Sequence, residues 1–301
     1  MSVEGRLYHY GLGAGVPYGF LNSIANAFDV TFHASDLLKR KKVAREILAK
    51  SRYANFIPQE TGYARVDADT LPGTQEVLTA VRGIIAERRK TGWKTRDVNP
   101  VDHLELPEHF RDHPELLKFA LSDTMLEIVS GYYGMVPQLK EMGIWVTREQ
   151  KEQYNSQLFH LDKPEVKIVG LFMNVELNGP EKGPTTALPA DKSNLVRRAT
   201  NYEAKYFRGD GFVADDTVFK YCSRDDLISV GGPPGTGAFV DTSSCFHFGS
   251  RCRSGERMML MVKFMLPHKA RKTRTPLFDL VPEPADEARR LALSGVAFKN
   301  G

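Results

Sequence analysis

Cysteine is scarce in this chain of 301 residues: Cys222, Cys245 and Cys252 are the full complement. So few thiols, and an odd number of them, exclude a disulfide framework and suit a reducing compartment. A charge excess of one sign is also missing. The 41 Lys+Arg against 37 Asp+Glu leave a net charge of +4, too small an excess to suggest a nucleic-acid binder. Long apolar runs are absent. Stretches such as Met258–Val262 fall far short of the roughly 20 residues that span a bilayer, so no membrane segment is expected. The start has no basic segment followed by an apolar one, so no secretory signal is expected and the protein reads as cytoplasmic. Gly11, Gly13 and Gly15 do not complete G-x-G-x-x-G, because position 16 is Val, which rejects a dinucleotide fingerprint. There are no repeats and no low-complexity tract.

What is there is the composition of a globular protein, 42% hydrophobic and 26% charged, and enough chain to bury a core without staples. One domain is expected over 1–301. It would comprise a mainly helical part (1–139), a strand-rich core (140–268) and a tail (269–301). The Gly-rich Tyr10–Gly19 and the Pro- and charge-rich stretch after Pro267 are expected to be mobile. Ser35 and Asp36 predict the cap of a helix running to about Lys50, with Lys39, Arg40, Lys41, Lys42 and Arg45 as a solvated face. Val77, Leu78, Val81, Ile84 and Ile85 recur on one face at 3.6 residues per turn, which predicts a helix over Thr74–Lys90. A third helix is predicted from Pro114 to Gly131–Gly134, because Pro suits a first helical position.

After residue 140, short apolar runs alternate with Gly and Pro. Gly143–Thr147, Ser156–Leu161, Val166–Leu177, Thr185–Leu188, Gly237–Asp241, Cys245–Phe248 and Arg257–Leu266 read as strands. Asn178-Gly179-Pro180, Gly183-Pro184 and Gly231–Gly235 read as turns. Many short strands closed by turns suggest a barrel or a double-sheet jelly roll.

Two histidines fall inside strand-like segments. In Phe159-His160-Leu161-Asp162 an extended backbone turns His160 and Asp162 to the same face. His247 lies in Cys245-Phe246-His247-Phe248. Two imidazoles and one carboxylate on one face of a metal form the facial triad of non-haem iron(II) oxygenases, which leaves positions open for a 2-oxo acid and dioxygen. Arg257, ten residues after His247, opens the next apolar strand. There it can clamp the distal carboxylate of a 2-oxo acid with a bidentate, charge-assisted pair; the plainer alternative is a salt bridge at a strand end.

His160-Leu161-Asp162, the run Gly179-Pro180-Glu181-Lys182-Gly183-Pro184-Thr185-Thr186-Ala187-Leu188-Pro189, then Gly237–Asp241, His247 and Arg257 resemble the phytanoyl-CoA dioxygenase-like branch of the iron(II)/2-oxoglutarate-dependent oxygenases. The resemblance covers about residues 110–268 and includes the helix around His113-Pro114 and Tyr133-Gly134. It implies a mixed α+β fold with a double-stranded β-helix (jelly-roll, cupin-like) core and flanking N-terminal helices. It implies that His160, Asp162 and His247 bind Fe(II) and that Arg257 binds 2-oxoglutarate. Gln157, three residues before the first ligand, would touch the cosubstrate. The implied reaction is oxidation, foremost hydroxylation, of a small molecule such as a natural product or acyl compound, with O2 consumed and succinate and CO2 released. Asp162 favours this over halogenation, since halogenating relatives carry a small residue there. Ala190-Asp191-Lys192 departs from the Gly-Ser-His common in the family, and Arg251 and Arg253 compete with Arg257.

Other readings stand beside this one. Cys245, His247, Cys252 and His160 could hold a structural zinc, although Cys245 also reads as a small buried hydrophobe. A jelly-roll isomerase or hydrolase without 2-oxoglutarate, and a non-catalytic binding protein, are further alternatives. Tyr132, Tyr133, Trp145, Phe159, Phe172 and Phe248 read as core. Tyr63, His103 and Lys163 are open to an entrance role. Substrate specificity is expected from 60–110 and 190–235, and the oligomeric state is open.

Overall fold

The computed structural model describes residues 10–91, 101–150, 155–163, 166–267 and 280–294. Two helices, α1 (Tyr18–Phe32) and α2 (Ala34–Leu48), lead to strand β1 (Tyr63–Val66). Helix α3 (Thr74–Lys90), strand β2 (Val101–Glu105) and helices α4 (Pro114–Ala120) and α5 (Asp123–Tyr133) follow. Strands β3 (Gln138–Arg148), β4 (Ile168–Asn174) and β5 (Thr186–Ala187) come next, then helices α6 (Ala190–Thr200), α7 (Tyr202–Tyr206) and α8 (Asp215–Val218). Strands β6 (Ile228–Ser229), β7 (Gly237–Asp241), β8 (His247–Phe248) and β9 (Glu256–Met265) precede helix α9 (Glu287–Leu293). The tail expected to be mobile lies outside the described residues except for 280–294, and the Gly-rich start runs directly into α1. No helix among the described residues is long and apolar enough to cross a membrane.

The strands form two antiparallel sheets. Six make the order β1-β7-β4-β9-β3-β2, and three make β6-β5-β8. Period-2 alternation gives the large sheet two different faces. Leu260, Val262 and Phe264 of β9 join Val169, Leu171 and Met173 of β4 in one apolar core with α2, α3, α4, α5 and α9. Met259 and Met261 point the other way and pack with Phe172, Ala187 and Cys245 beneath the small sheet. Helices therefore cover one face, and the small sheet with its cavity covers the other.

Helix α3 matches its periodicity: its five predicted apolar positions are each at most 3% exposed, and Arg88, Arg89 and Lys90 sit in the last turn, where cations suit the helix dipole. Three expectations change. The helix from Pro114 is two helices, because Ser122 adopts an extended backbone and its hydroxyl accepts from the Met125 N–H to start α5. Ser35 and Asp36 lie inside the first turn of α2 rather than capping it, and the N-cap is His33. Arg40 leaves the solvated face: it is 2% exposed and donates to Val136 O at 3.1 Å and Leu291 O at 2.9 Å, and also to Ser294 Oγ. Its guanidinium thus adds a donor to a carbonyl in the last turn of α9, which Ser294 also reaches.

The segment Ser156–Leu161 is not a strand. A 3-10 turn over Asn155–Gln157 follows a left-handed Asn155 (φ 53), and two isolated antiparallel bridges then pair Phe159 with Val213 and His160 with His247. Pairing one residue at a time with different partners prevents a continuous ladder. The stretch 190–235, expected as loops, carries α6, α7, α8 and β6.

Candidate metal and cosubstrate site

The short strand β8 sits between two partners. On one side Ala187 is the Cα partner of His247. On the other, His160 N–H donates to His247 O and His247 N–H to His160 O, both at 3.1 Å. This is the hydrogen-bonded pair of an antiparallel ladder, in which opposite residues exchange both bonds. It brings the two imidazoles to a centroid distance of 4.3 Å. Two residues on, Asp162 N–H donates to Thr242 O at 2.7 Å, which ties the carboxylate's backbone to the end of β7. Lys163 then turns the chain away with a left-handed φ of 44°.

Both imidazoles are oriented in the same manner. His160 Nδ1 lies 3.0 Å from Leu158 O, and His247 Nδ1 lies 3.1 Å from Cys245 O. A carbonyl accepts only, so each Nδ1 carries the proton and each Nε2 keeps a free lone pair, the arrangement of a metal ligand held from behind. One ligand atom from each of His160, Asp162 and His247 lies within 4.8 Å of the others. Burial and the neighbouring His160 push His247 down to about 3, and burial pushes His160 down, partly offset by Asp162. Burial works to raise the Asp162 carboxyl, but Lys263, His247 and His160 outweigh it and hold the group well below the usual carboxylate range. The cluster therefore offers two neutral nitrogens and one anionic oxygen.

His160, Asp162, His247 and Arg257 line one cavity, with Trp145, Phe172 and Met261 on its apolar wall. Arg257 is 2% exposed. Its Nη1 donates to Ser250 Oγ at 2.9 Å, and its Nη2 to Thr185 Oγ1 and Met259 Sδ, while Nε has no partner. Among the described residues no carboxylate forms an ion pair with it. Burial lowers its pKa to about 10. Arg251 is engaged elsewhere: it makes a bidentate pair with Asp215, both bonds 2.8 Å, and lies 3.4 Å over the Phe248 ring. Arg253 is exposed. Gln157 does not line the cavity; its amide donates to Ser250 O at 2.7 Å and steadies the turn that carries the Arg257 partner.

The Gly-Pro run has a physical reason. Gly183 is left-handed (φ 65), and a Cβ there would lie 2.3 Å from the carbonyl carbon of Arg251. Its carbonyl accepts from Ser250 N–H at 3.1 Å, so this glycine lets the two chains close beside the cavity.

The thiols stand apart from the cluster. Cys245 Sγ faces Thr61 O and Gly62 O, and Cys252 Sγ faces Ser254 O and Gly255 O. Burial raises both thiols' pKa, Cys245 well above its ordinary value, which opposes the thiolate a zinc site needs. Phe159 is core, and Tyr132 is buried with its hydroxyl on Asp241. Phe172 and Phe248 are core as well, with Trp145 packed against it, and all three also form cavity wall. Tyr63, His103 and Lys163 are not lining residues; His103 Nε2 lies 3.3 Å from Glu141. Sequence reasoning missed Thr185, Ser250 and Lys263. The last was accessible to it, since Arg257, Met259, Met261 and Lys263 alternate along β9 and share its cavity face.

No protein-family model matches the sequence, and no curated protein shows significant similarity to it. Solved structures do match in shape. HygX from Streptomyces hygroscopicus, solved with nickel and 2-oxoglutarate bound, is 14% identical over 77% of this chain and 94% of its own, with a TM-score of 0.51. The folds are alike. SnoK, a non-haem α-ketoglutarate-dependent carbocyclase from nogalamycin biosynthesis, is 17% identical over 72% and 84% of the two chains, with a TM-score of 0.46. The epimerase SnoN, in complex with Fe3+, α-ketoglutarate and nogalamycin RO, is 13% identical over 83% and 95%, with a TM-score of 0.45.

Proposed function

We propose that this chain is an Fe(II)- and 2-oxoglutarate-dependent dioxygenase of the phytanoyl-CoA dioxygenase-like kind, with a double-stranded β-helix core, that oxidises a small molecule. The observation that carries the reading is Arg257. A guanidinium this buried, with hydroxyls and a thioether as partners and an orphaned Nε, is a charge without a counter-ion among the described residues. Burying an uncompensated charge is costly, and a ligand carboxylate removes that cost through a bidentate pair. The same cavity holds His160, Asp162 and His247, whose donor set of two neutral nitrogens and one carboxylate suits iron(II). A molecule with a carboxylate at one end and a 2-oxo acid at the other meets both demands. The fold likeness to HygX, which binds 2-oxoglutarate and nickel, is in keeping with this.

When bound, iron(II) and 2-oxoglutarate supply the oxidising power, with O2 consumed and succinate and CO2 released. The chain's own residues prepare that chemistry. Leu158 O and Cys245 O hold the Nδ1 protons of His160 and His247, so that both imidazoles present lone pairs. Asp162 stays ionised. Ser250 and Thr185 aim the Arg257 guanidinium. Trp145, Phe172, Met259 and Met261 make part of the cavity wall apolar.

The deciding experiment is turnover of 2-oxoglutarate to succinate by protein loaded with iron(II), with and without O2. O2-dependent succinate that disappears in Asp162→Ala supports the reading. Iron-loaded protein that releases no succinate, alone or with a panel of small molecules, refutes it.

A further inference from the structure

Strand β9 ends its cavity face on a second cation. Lys263 lies six residues beyond Arg257, with its Nζ 2.8 Å from Asp162 Oδ2 and the two side chains 15% and 24% exposed. The other oxygen, Oδ1, lies 3.8 Å from His160 Nε2. The carboxylate is thus divided, one oxygen towards the ammonium and one towards an imidazole. Lys263 is well placed to enforce this. It stands between Glu141 on β3 and Gly170 on β4. Burial works to lower the ammonium's pKa, but Asp162 and Glu141 outweigh it and raise it.

We propose that Lys263 is a positioning residue that keeps Asp162 a one-oxygen metal ligand. The inference rests on the metal and cosubstrate reading given above. A carboxylate with both oxygens free can grip a divalent cation through both, and the second oxygen would fill a position the cosubstrate needs. The ammonium occupies Oδ2 and prevents this. It also places a positive charge next to the cation, which weakens metal binding. Removing Lys263 therefore strengthens metal binding and weakens cosubstrate binding, a divergence that a purely structural role would not produce.

The test uses the full chain, Mn(II) and 2-oxoglutarate in calorimetric titrations, with Co(II) absorption as a second readout. In Lys263→Met, Mn(II) is expected to bind about tenfold tighter. 2-Oxoglutarate is expected to bind the Mn(II)-loaded variant about tenfold weaker, and the Co(II) spectrum to change. Lys263→Gln, whose amide retains a donor, is expected to keep more of the cosubstrate affinity than Lys263→Met. Unchanged affinities in folded Lys263→Met, or a parallel loss of both, would overturn the proposal. If Lys263→Met does not fold, Lys263→Gln decides: Mn(II) binding no tighter than in the unmutated chain overturns it. An unmutated chain that binds no Mn(II) refutes the metal reading itself and this proposal with it.

Discussion

His160 and His247 are neighbours through their main chains before they are neighbours through their side chains: each N–H donates to the other's carbonyl at 3.1 Å. A separation of 87 positions in sequence collapses to one rung of a ladder. Because the backbone makes the rung, trimming an imidazole side chain leaves it in place. His247→Ala is expected to bind Mn(II) at least about a hundredfold more weakly, with an unchanged far-ultraviolet circular dichroism spectrum. Calorimetric titration checks this; retained affinity removes His247 from the ligand set.

Arg257→Leu is expected to raise the dissociation constant of 2-oxoglutarate, since a buried charged pair contributes about 2–5 kcal/mol. Metal affinity should change little. Arg257→Lys restores charge without the planar fork and should recover only part of the loss. Titration of metal-loaded variants with 2-oxoglutarate measures both. An unaltered constant in Arg257→Leu would move the anion site elsewhere.

Acid should destabilise the metal-free protein in a defined window. His247 falls from 6.5 to about 3 on folding, so between those values the unfolded chain binds a proton that the folded chain does not. Stability is therefore lost as pH drops below 6.5, with a slope approaching about 1.4 kcal/mol per pH unit from this group. Urea midpoints at pH 5, 6 and 7 should show the trend, and His247→Gln should flatten it. An identical slope in the variant would assign the effect to other groups.

Gly183→Ala is expected to cost about 2 kcal/mol or more. The left-handed backbone alone costs an alanine about 1–2 kcal/mol, and the Arg251 backbone occupies the space its methyl needs. Denaturant unfolding measures the loss. A variant as stable as the parent would show that the turn has room to relax.

The sequence carried the chemistry of the site better than its local shape. His160, Asp162 and His247 were legible as residue types in apolar, β-like surroundings, and the structure gathers them. The geometry that gathers them was not legible: Ser156–Leu161 alternates like a strand but pairs only at single bridges, a choice made by distant partners rather than by local propensity. The strands β1 and β2 were hidden in the helical half for the same reason. Arg40 shows the limit for charges, since a cluster of five cations gives no sign that one of them turns inward to the carbonyls of other segments. Lys263 was legible in principle, as a charge on the inward parity of an otherwise apolar strand.

The placement of Arg257 and Lys263 on one strand turns β9 into a ruler. Six residues of extended chain span about 20 Å, and hydrogen bonding to β3 and β4 on either flank keeps that span from stretching. The rest of the cavity lining comes from other segments, among them Ser156, Thr185 and His247–Ser250, and Phe212 beside His160 is 41% exposed. Under the proposed function, differences in the size of molecule admitted fall to those other segments, while the distance between the two cations stays constant.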